Sequence, residues 1–272
     1  MTGAHDLRGK EPNPKDVSAF VIDNLSVRVY PDRSAMGSEA AQMVGDKIIA
    51  LLTGQDCVNI IFAAAPSQNE FLAALVQNTS VDWTKVNAFH MDEYIGLPEN
   101  ARQTFASFLD EKIFGRLPFK TINYLNSNAA DVRDECERYA ALLRNYPPDI
   151  VCMGIGENGH LAFNDPPVAD FNDREQVKIV ELDTECRQQQ VNDDCFSRID
   201  DVPTHAITLT IPALMAGRYL YCMVPGIKKA KAVFNTMNEG IVEAYPSTIL
   251  RQHTNAILFL DQESSAVVKH KI

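Results

Sequence analysis

The chain has 272 residues, 46% of them hydrophobic, and a formal net charge of −11 from 36 acidic against 25 basic side chains. So acidic a chain repels nucleic acid and anionic membrane, and neither is expected as a bulk partner. No stretch approaches the roughly 18 uninterrupted apolar residues of a membrane span, and the opening MTGAHDLRGKEPNPKD lacks the apolar core of a secretory signal, so a cytoplasmic protein is expected.

The length fits one α/β domain, and no linker or repeat divides the chain. Residues 1–33, polar and proline-bearing through Pro14, are expected to form a lead-in, with the folded domain over 34–272. Apolar residues recur at helical spacing from Ser34 to Leu52, and Asp56 to Ala65 then reads as a buried strand. A helix is expected over Ser67–Val76, a short strand over Val86–His90, and helices over Thr104–Phe114 and Ala130–Arg144, the last stopped by Pro147 and Pro148. Ile150 to Gly154 is a third strand. His205–Leu209, Tyr219–Val224 and Ala256–Leu260 read as further strands, with a helix over Lys228–Glu239. This alternation predicts a Rossmann-like, open, mainly parallel sheet with helices on both faces and ligands at the carboxyl ends of its strands.

The six cysteines form no CxxC pair, so free thiols are expected rather than a disulfide framework or zinc knuckle, with Cys152 and Cys222 as small core hydrophobes. Trp83, Phe105, Phe108 and Phe114 fall at element positions and are expected in the core.

Two turns after strands are unusual. FHMDEYIGLP (89–98) delivers Asp92 and Glu93 side by side at a strand end, a pattern that serves either a solvated cap or an acid/base site. GIGENGHLAFNDP (154–166) packs three glycines, His160 and the carboxylates Glu157 and Asp165 into one turn, implying close backbone approach to a ligand or another segment. Its G-x-G-x-x-G spacing also suggests a dinucleotide site, but no long helix pattern follows it.

FHMDEYIGLP and MGIGENGHLAFNDP resemble the two signature stretches of the glucosamine-6-phosphate isomerase/deaminase family. The similarity continues through YLNSNAADVRDECERYAALLR, VPTHAITLTIPALMA and PGIKKAKAV, roughly residues 35–260, so 34–272 is expected to be a domain of that kind. The resemblance implies an amino-sugar phosphate substrate, deaminated and isomerised without metal or other cofactor. It also implies that Asp92 shuttles the proton between the two carbons at the aldose/ketose junction, and that His160 assists ring opening, supported by Asn158 and Asp165. Substrate contacts are implied for Ala65, Ser67, Gln68, Glu93, Gly156, Gly159 and Lys229, with Glu93 also supporting its turn. Family members occur as monomers and larger assemblies, so a homo-oligomer is among the expected states.

The sequence departs from the family pattern at several places. Asn158 stands where most deaminases of the family have Asp, losing a charge for which Glu157 is a candidate substitute, and Asp165 stands where they have Glu. The phosphate loop reads Ala64-Ala65-Pro66-Ser67-Gln68, and Pro66 has no N–H to offer. An arginine expected near Asn192 is missing, with Arg187 and Lys178 as candidate substitutes. Val168 replaces a serine of the allosteric site found in some members, so that regulation is not expected. These departures keep two alternatives in view: an isomerase or lactonase acting on a different sugar phosphate, and a non-catalytic sugar-phosphate sensor. The related phosphogluconolactonases lack the aspartate matched by Asp92.

Overall fold

A computed structural model describes residues 18–98 and 101–268. The described residues open with an antiparallel hairpin, β1 (Ser18–Ile22) and β2 (Leu25–Tyr30), followed by α1 (Arg33–Leu52), whose N-cap Asp32 accepts the Ala35 N–H at 2.8 Å. Next come β3 (Val58–Phe62), α2 (Asn69–Val76), β4 (Val86–His90), a short β5 (Asp92–Tyr94) and α3 (Phe105–Leu109), which runs on as a π turn over Asp110–Phe114. β6 (Thr121–Asn123), α4 (Val132–Asn145), β7 (Ile150–Met153), β8 (Val177–Glu181) and α5 (Thr184–Asn192) follow. The last elements are β9 (His205–Leu209), α6 (Ile211–Met215), β10 (Tyr219–Val224), α7 (Ala230–Asn238) and β11 (Ala256–Asp261).

Eight strands form one sheet in the order β1-β2-β11-β10-β7-β3-β4-β6, parallel throughout except for the β1–β2 pair. The expected mainly parallel α/β sheet is therefore present. The continuous apolar runs have a simple cause, because alternate residues of each strand enter two separate cores. Ile60, Phe62, Cys152, Met223 and Phe259 pack with α1 and α2 on one face, while Ile61, Val151, Cys222 and Leu258 pack with α4, α6 and α7 on the other.

Two expectations are corrected here. The lead-in over 1–33 already contains β1 and β2, which enter the main sheet because Leu25, Val27 and Val29 point into the second core; the part through Pro14 lies outside the described residues. The strand over His205–Leu209 does not join the parallel sheet. It pairs antiparallel with β5 and β8 in a second, three-stranded sheet.

In the main sheet the chain moves outward from β3 to β4 and β6, then returns to β7 and moves the other way to β10 and β11. The loops leaving β3 and β7 therefore diverge to opposite faces and open a crevice at their carboxyl ends, the usual ligand position in open α/β sheets.

α1 reaches this region across a tight contact with α2. A Cβ built on Gly37 would lie 2.7 Å from both Glu70 Cβ and the Phe71 backbone nitrogen. In an open helix, Ala gains about 1 kcal/mol over Gly, but overpacking against backbone costs about 1–3 kcal/mol. Gly37→Ala is therefore expected to lower stability in urea unfolding. A rise in the midpoint would show that the helices separate freely.

Candidate active site

The loop after β3 sets one wall. Ala65 is extended and Pro66 opens a single helical turn, Pro66–Gln68, that leads into α2. Proline is tolerated there because its missing N–H falls at a position with no partner inside the helix. Gln68 is buried and ties the loop to the end of β10, its Nε2 donating to Ser67 Oγ and to the Met223 carbonyl, both at 3.2 Å. Arg33 clamps the other side, donating to the Pro66 carbonyl at 3.1 Å and to Glu70 at 2.7 Å.

Asp92 is placed by a change of sheet. β4 ends at His90, and β5 begins two residues later in register with β9. The buried His90 ring bridges the change: the Leu125 N–H donates to Nε2 at 2.9 Å, so Nδ1 carries the proton and donates to the Asp92 carbonyl at 2.9 Å. Burial holds His90 down to about 4, in its neutral form. Burial, reinforced by the neighbouring Glu93 charge, raises Asp92 well above the usual carboxylate range.

Glu93 faces away from the crevice. Its carboxylate accepts the backbone N–H groups of Tyr94, Phe105 and Ala106 at 3.0, 3.0 and 2.9 Å, two of them from the start of α3. Burial raises it to about 7, although those N–H groups favour the charged form.

The glycine turn after β7 carries His160. A Cβ on Gly156 would lie 2.3 Å from the His160 ring, so only glycine admits the imidazole there. Gly159, at φ +93, closes the turn with its N–H on the Gly156 carbonyl at 3.0 Å. His160 Nδ1 donates to Asp165 Oδ1 at 2.8 Å, and Asn158 braces both, accepting the His160 N–H at 3.0 Å and donating to Asp165 Oδ1 at 2.9 Å. Asp165 is 1% exposed. Burial would raise it, but attraction to His160 and the hydrogen bonds from His160, Asn158 and the Cys186 thiol hold it below the usual range. Among the described residues no hydrogen bond or ion pair joins Glu157 to His160, the Glu157 N–H going to Gln189 Oε1 at 2.8 Å. Asp165 therefore carries the support for which Glu157 was the candidate. Ala162, at φ +51, lies in the same loop and lines the crevice, a strained backbone of the kind that clusters at functional sites.

Lys229 closes the crevice from the β10 side. It sits in the short turn before α7, which is anchored where the Gly226 N–H meets both oxygens of Asp261 at 3.0 Å. Lys229 is 7% exposed, and burial lowers its ammonium below the ordinary lysine range against the opposing charges of Asp193 and Glu157.

These walls enclose a cavity of about 310 Å³. Of the residues expected at the site, Ala65, Ser67, Gln68, Asp92, Gly156, His160 and Lys229 line it. Glu93, Asn158, Asp165 and Gly159 do not: the first caps α3, and the other three hold the His160 turn from behind. Phe105 and Phe108, expected in the core, also line it.

Arg187 and Lys178 are not in the cavity wall. Arg187 donates to the carbonyls of Ile199 and Val202, and Lys178 pairs with Asp173 at 2.8 Å. The second cation on the wall is Arg102. Sequence reasoning missed it, together with Gln189, Gln190, Asp193 and Asp194 from α5 and its exit. TECRQQQVN carries almost no apolar stripe, so periodicity gave no helix signal. The available signal was Asp183, an N-cap ahead of nine residues free of glycine and proline.

A family model described as glucosamine-6-phosphate isomerases/6-phosphogluconolactonase matches residues 31–259. A glucosamine-6-phosphate deaminase of Bacillus thuringiensis (strain Al Hakam) is 36% identical over 199 residues, 73% of this chain and 74% of that protein. The structure of a monomeric glucosamine-6-phosphate deaminase matches with a TM-score of 0.82 at 24% identity, covering 89% of this chain and 99% of that one. The 6-phosphogluconolactonase of Thermotoga maritima matches at 0.71 and 17% identity, covering 87% and 99%. These two structural likenesses establish the fold.

Proposed function

The chain belongs to the glucosamine-6-phosphate isomerase/6-phosphogluconolactonase family, and we propose that it converts glucosamine 6-phosphate and water to fructose 6-phosphate and ammonia. The observation that carries this reading is that Asp92, His160 and the buried Lys229 line one cavity. Lys229, with Ser67 and the helix start behind it, takes the phosphate. His160, oriented by Asp165, exchanges a proton with the ring oxygen and opens the sugar. Asp92 then removes the C2 proton to give an enolamine and returns it to C1, leaving a ketose imine that water hydrolyses with release of ammonia. A phosphorylated sugar is retained inside cells, so a cytoplasmic location goes with this reading. Among the described residues no helix is long and apolar enough to cross a membrane.

Ammonia release from glucosamine 6-phosphate, compared with a heat-killed control, tests the proposal. Hydrolysis of a phosphogluconolactone without ammonia release would move the chain to the lactonase branch. Tight binding of amino-sugar phosphates with zero turnover would make it a sensor.

The reaction's pH dependence follows from Asp92. A base works only when deprotonated, and its carboxyl is raised, so kcat/KM is expected to fall with decreasing pH well above the ordinary aspartate value of about 4. An acid limb centred near 4 would show that another group abstracts the proton.

A further inference from the structure

Cys186 has no role in that reaction, yet its position is chemically loaded. The Asp183 cap accepts the Cys186 N–H at 2.7 Å and fixes the cysteine in the first turn of α5. There its Sγ, a ring nitrogen of His160 and a carboxylate oxygen of Asp165 lie within 4.8 Å of one another, and all three residues are buried. A second observation points the same way: on the Asp165 side chain, 1% exposed, Oδ2 meets no donor in strict hydrogen-bonding geometry among the described residues, and the Cys186 thiol set against the carboxylate is a weak donor. A thiol satisfies a buried carboxylate poorly, whereas a cation between the two would satisfy it fully.

We propose that His160, Asp165 and Cys186 form a binding site for a thiophilic divalent cation, with Zn²⁺ as the reference ion, and that its occupancy switches the enzyme off. Imidazole nitrogen, carboxylate oxygen and thiolate sulfur are the three ligand types zinc takes. At ordinary bond lengths the ligands of a tetrahedral zinc lie about 3.3–3.8 Å apart, so these groups need only small side-chain shifts to converge. The fourth position of the tetrahedron falls to a water. Binding releases one proton from the thiol. The imidazole keeps its own proton by moving it from Nδ1 to Nε2, after which His160 has no lone pair to accept a proton from substrate. Inhibition rests on the deaminase reading; binding does not. The ion is no part of the forward reaction, so this is a control site rather than a cofactor site.

The test uses full-length protein freed of metal with a chelator. Zn²⁺ is titrated against a chromophoric competitor, and Co²⁺ is added separately for its absorption spectrum. One ion per chain is expected, with a thiolate-to-cobalt charge-transfer band. Cys186→Ser is expected to lose that band and to weaken Zn²⁺ binding by about 100-fold or more, at or beyond the upper end of what changes around a metal site produce. Cys57→Ser, ahead of β3 and remote from the cavity wall, should behave as the parent. One equivalent of Zn²⁺ should stop ammonia release by the parent but not by Cys186→Ser, each measured against its own metal-free rate. Equal zinc affinity in Cys186→Ser and parent, or no charge-transfer band, overturns the site and leaves the thiol as packing beside Asp165. If Cys186→Ser fails to fold, the cobalt band of the parent decides. If no substrate releases ammonia, the two titrations still decide.

Discussion

Asp92→Asn is expected to reduce ammonia release from glucosamine 6-phosphate by about 10²–10⁴-fold, the usual contribution of a positioned proton-transfer group. Binding of fructose 6-phosphate, followed by calorimetry, should change little, because the amide keeps the shape and a hydrogen-bonding oxygen while losing basicity. Asp92 is buried next to Glu93, and burial together with the Glu93 charge disfavours its ionisation. Removing one charge should therefore leave the thermal midpoint unchanged or raised. Lost turnover with intact binding and stability is the signature of a base. Loss of all three together would mean that Asp92 serves the fold, and retained turnover would transfer the proton shuttle to another group.

Lys229→Met is expected to raise KM for the phosphorylated sugar by about 10–100-fold, with a smaller change in kcat. The reason is the size of a charged hydrogen bond, about 1.5–3 kcal/mol, at about 1.4 kcal/mol per factor of ten. Stability should move the other way. Lys229 is 7% exposed and makes no ion pair within 4 Å among the described residues, so its burial opposes folding and methionine relieves it. A KM within twofold of the parent would place the phosphate elsewhere, with Arg102 the remaining cation on the wall. A fall in the thermal midpoint would show that the lysine is structural.

The departure at Asn158 is less disruptive than the loss of a charge suggests. His160 keeps a carboxylate partner at 2.8 Å in Asp165, and Asn158 uses both ends of its amide, one on the His160 N–H and one on that carboxylate. An aspartate at 158 would set a second negative charge against Asp165 in a partly buried space. The amide braces the pair without that repulsion. The missing charge is therefore weak support for a sensor, and the intact His160–Asp165 contact favours an enzyme.

Local pattern carries most of the architecture. Strands buried on both faces are apolar at nearly every position, so β3, β7, β10 and β11 are legible as runs, and α1 and α4 as periodic segments. The FHMDEYIGLP and GIGENGHLAFNDP turns were visible because acidic pairs and clustered glycines are rare at strand ends. Which of their side chains face the cavity was not visible. Glu93 and Asp92 are adjacent residues of one short strand, and alternation sends one to the cap of α3 and the other to the crevice. β8 and the β5–β9 pairing escaped notice because half-exposed and three-residue strands carry little periodic signal. α5 escaped because it carries almost no apolar stripe, two of its polar residues, Gln189 and Gln190, facing the cavity instead of a core. Gln190 and Cys186 lie about twenty residues or more beyond the GIGENGHLAFNDP motif they join in space. Hydrophobic period is a property of neighbours along the chain and reads directly from it, whereas a site is a meeting of distant segments, created when the β3 and β7 loops part at the sheet's switch point.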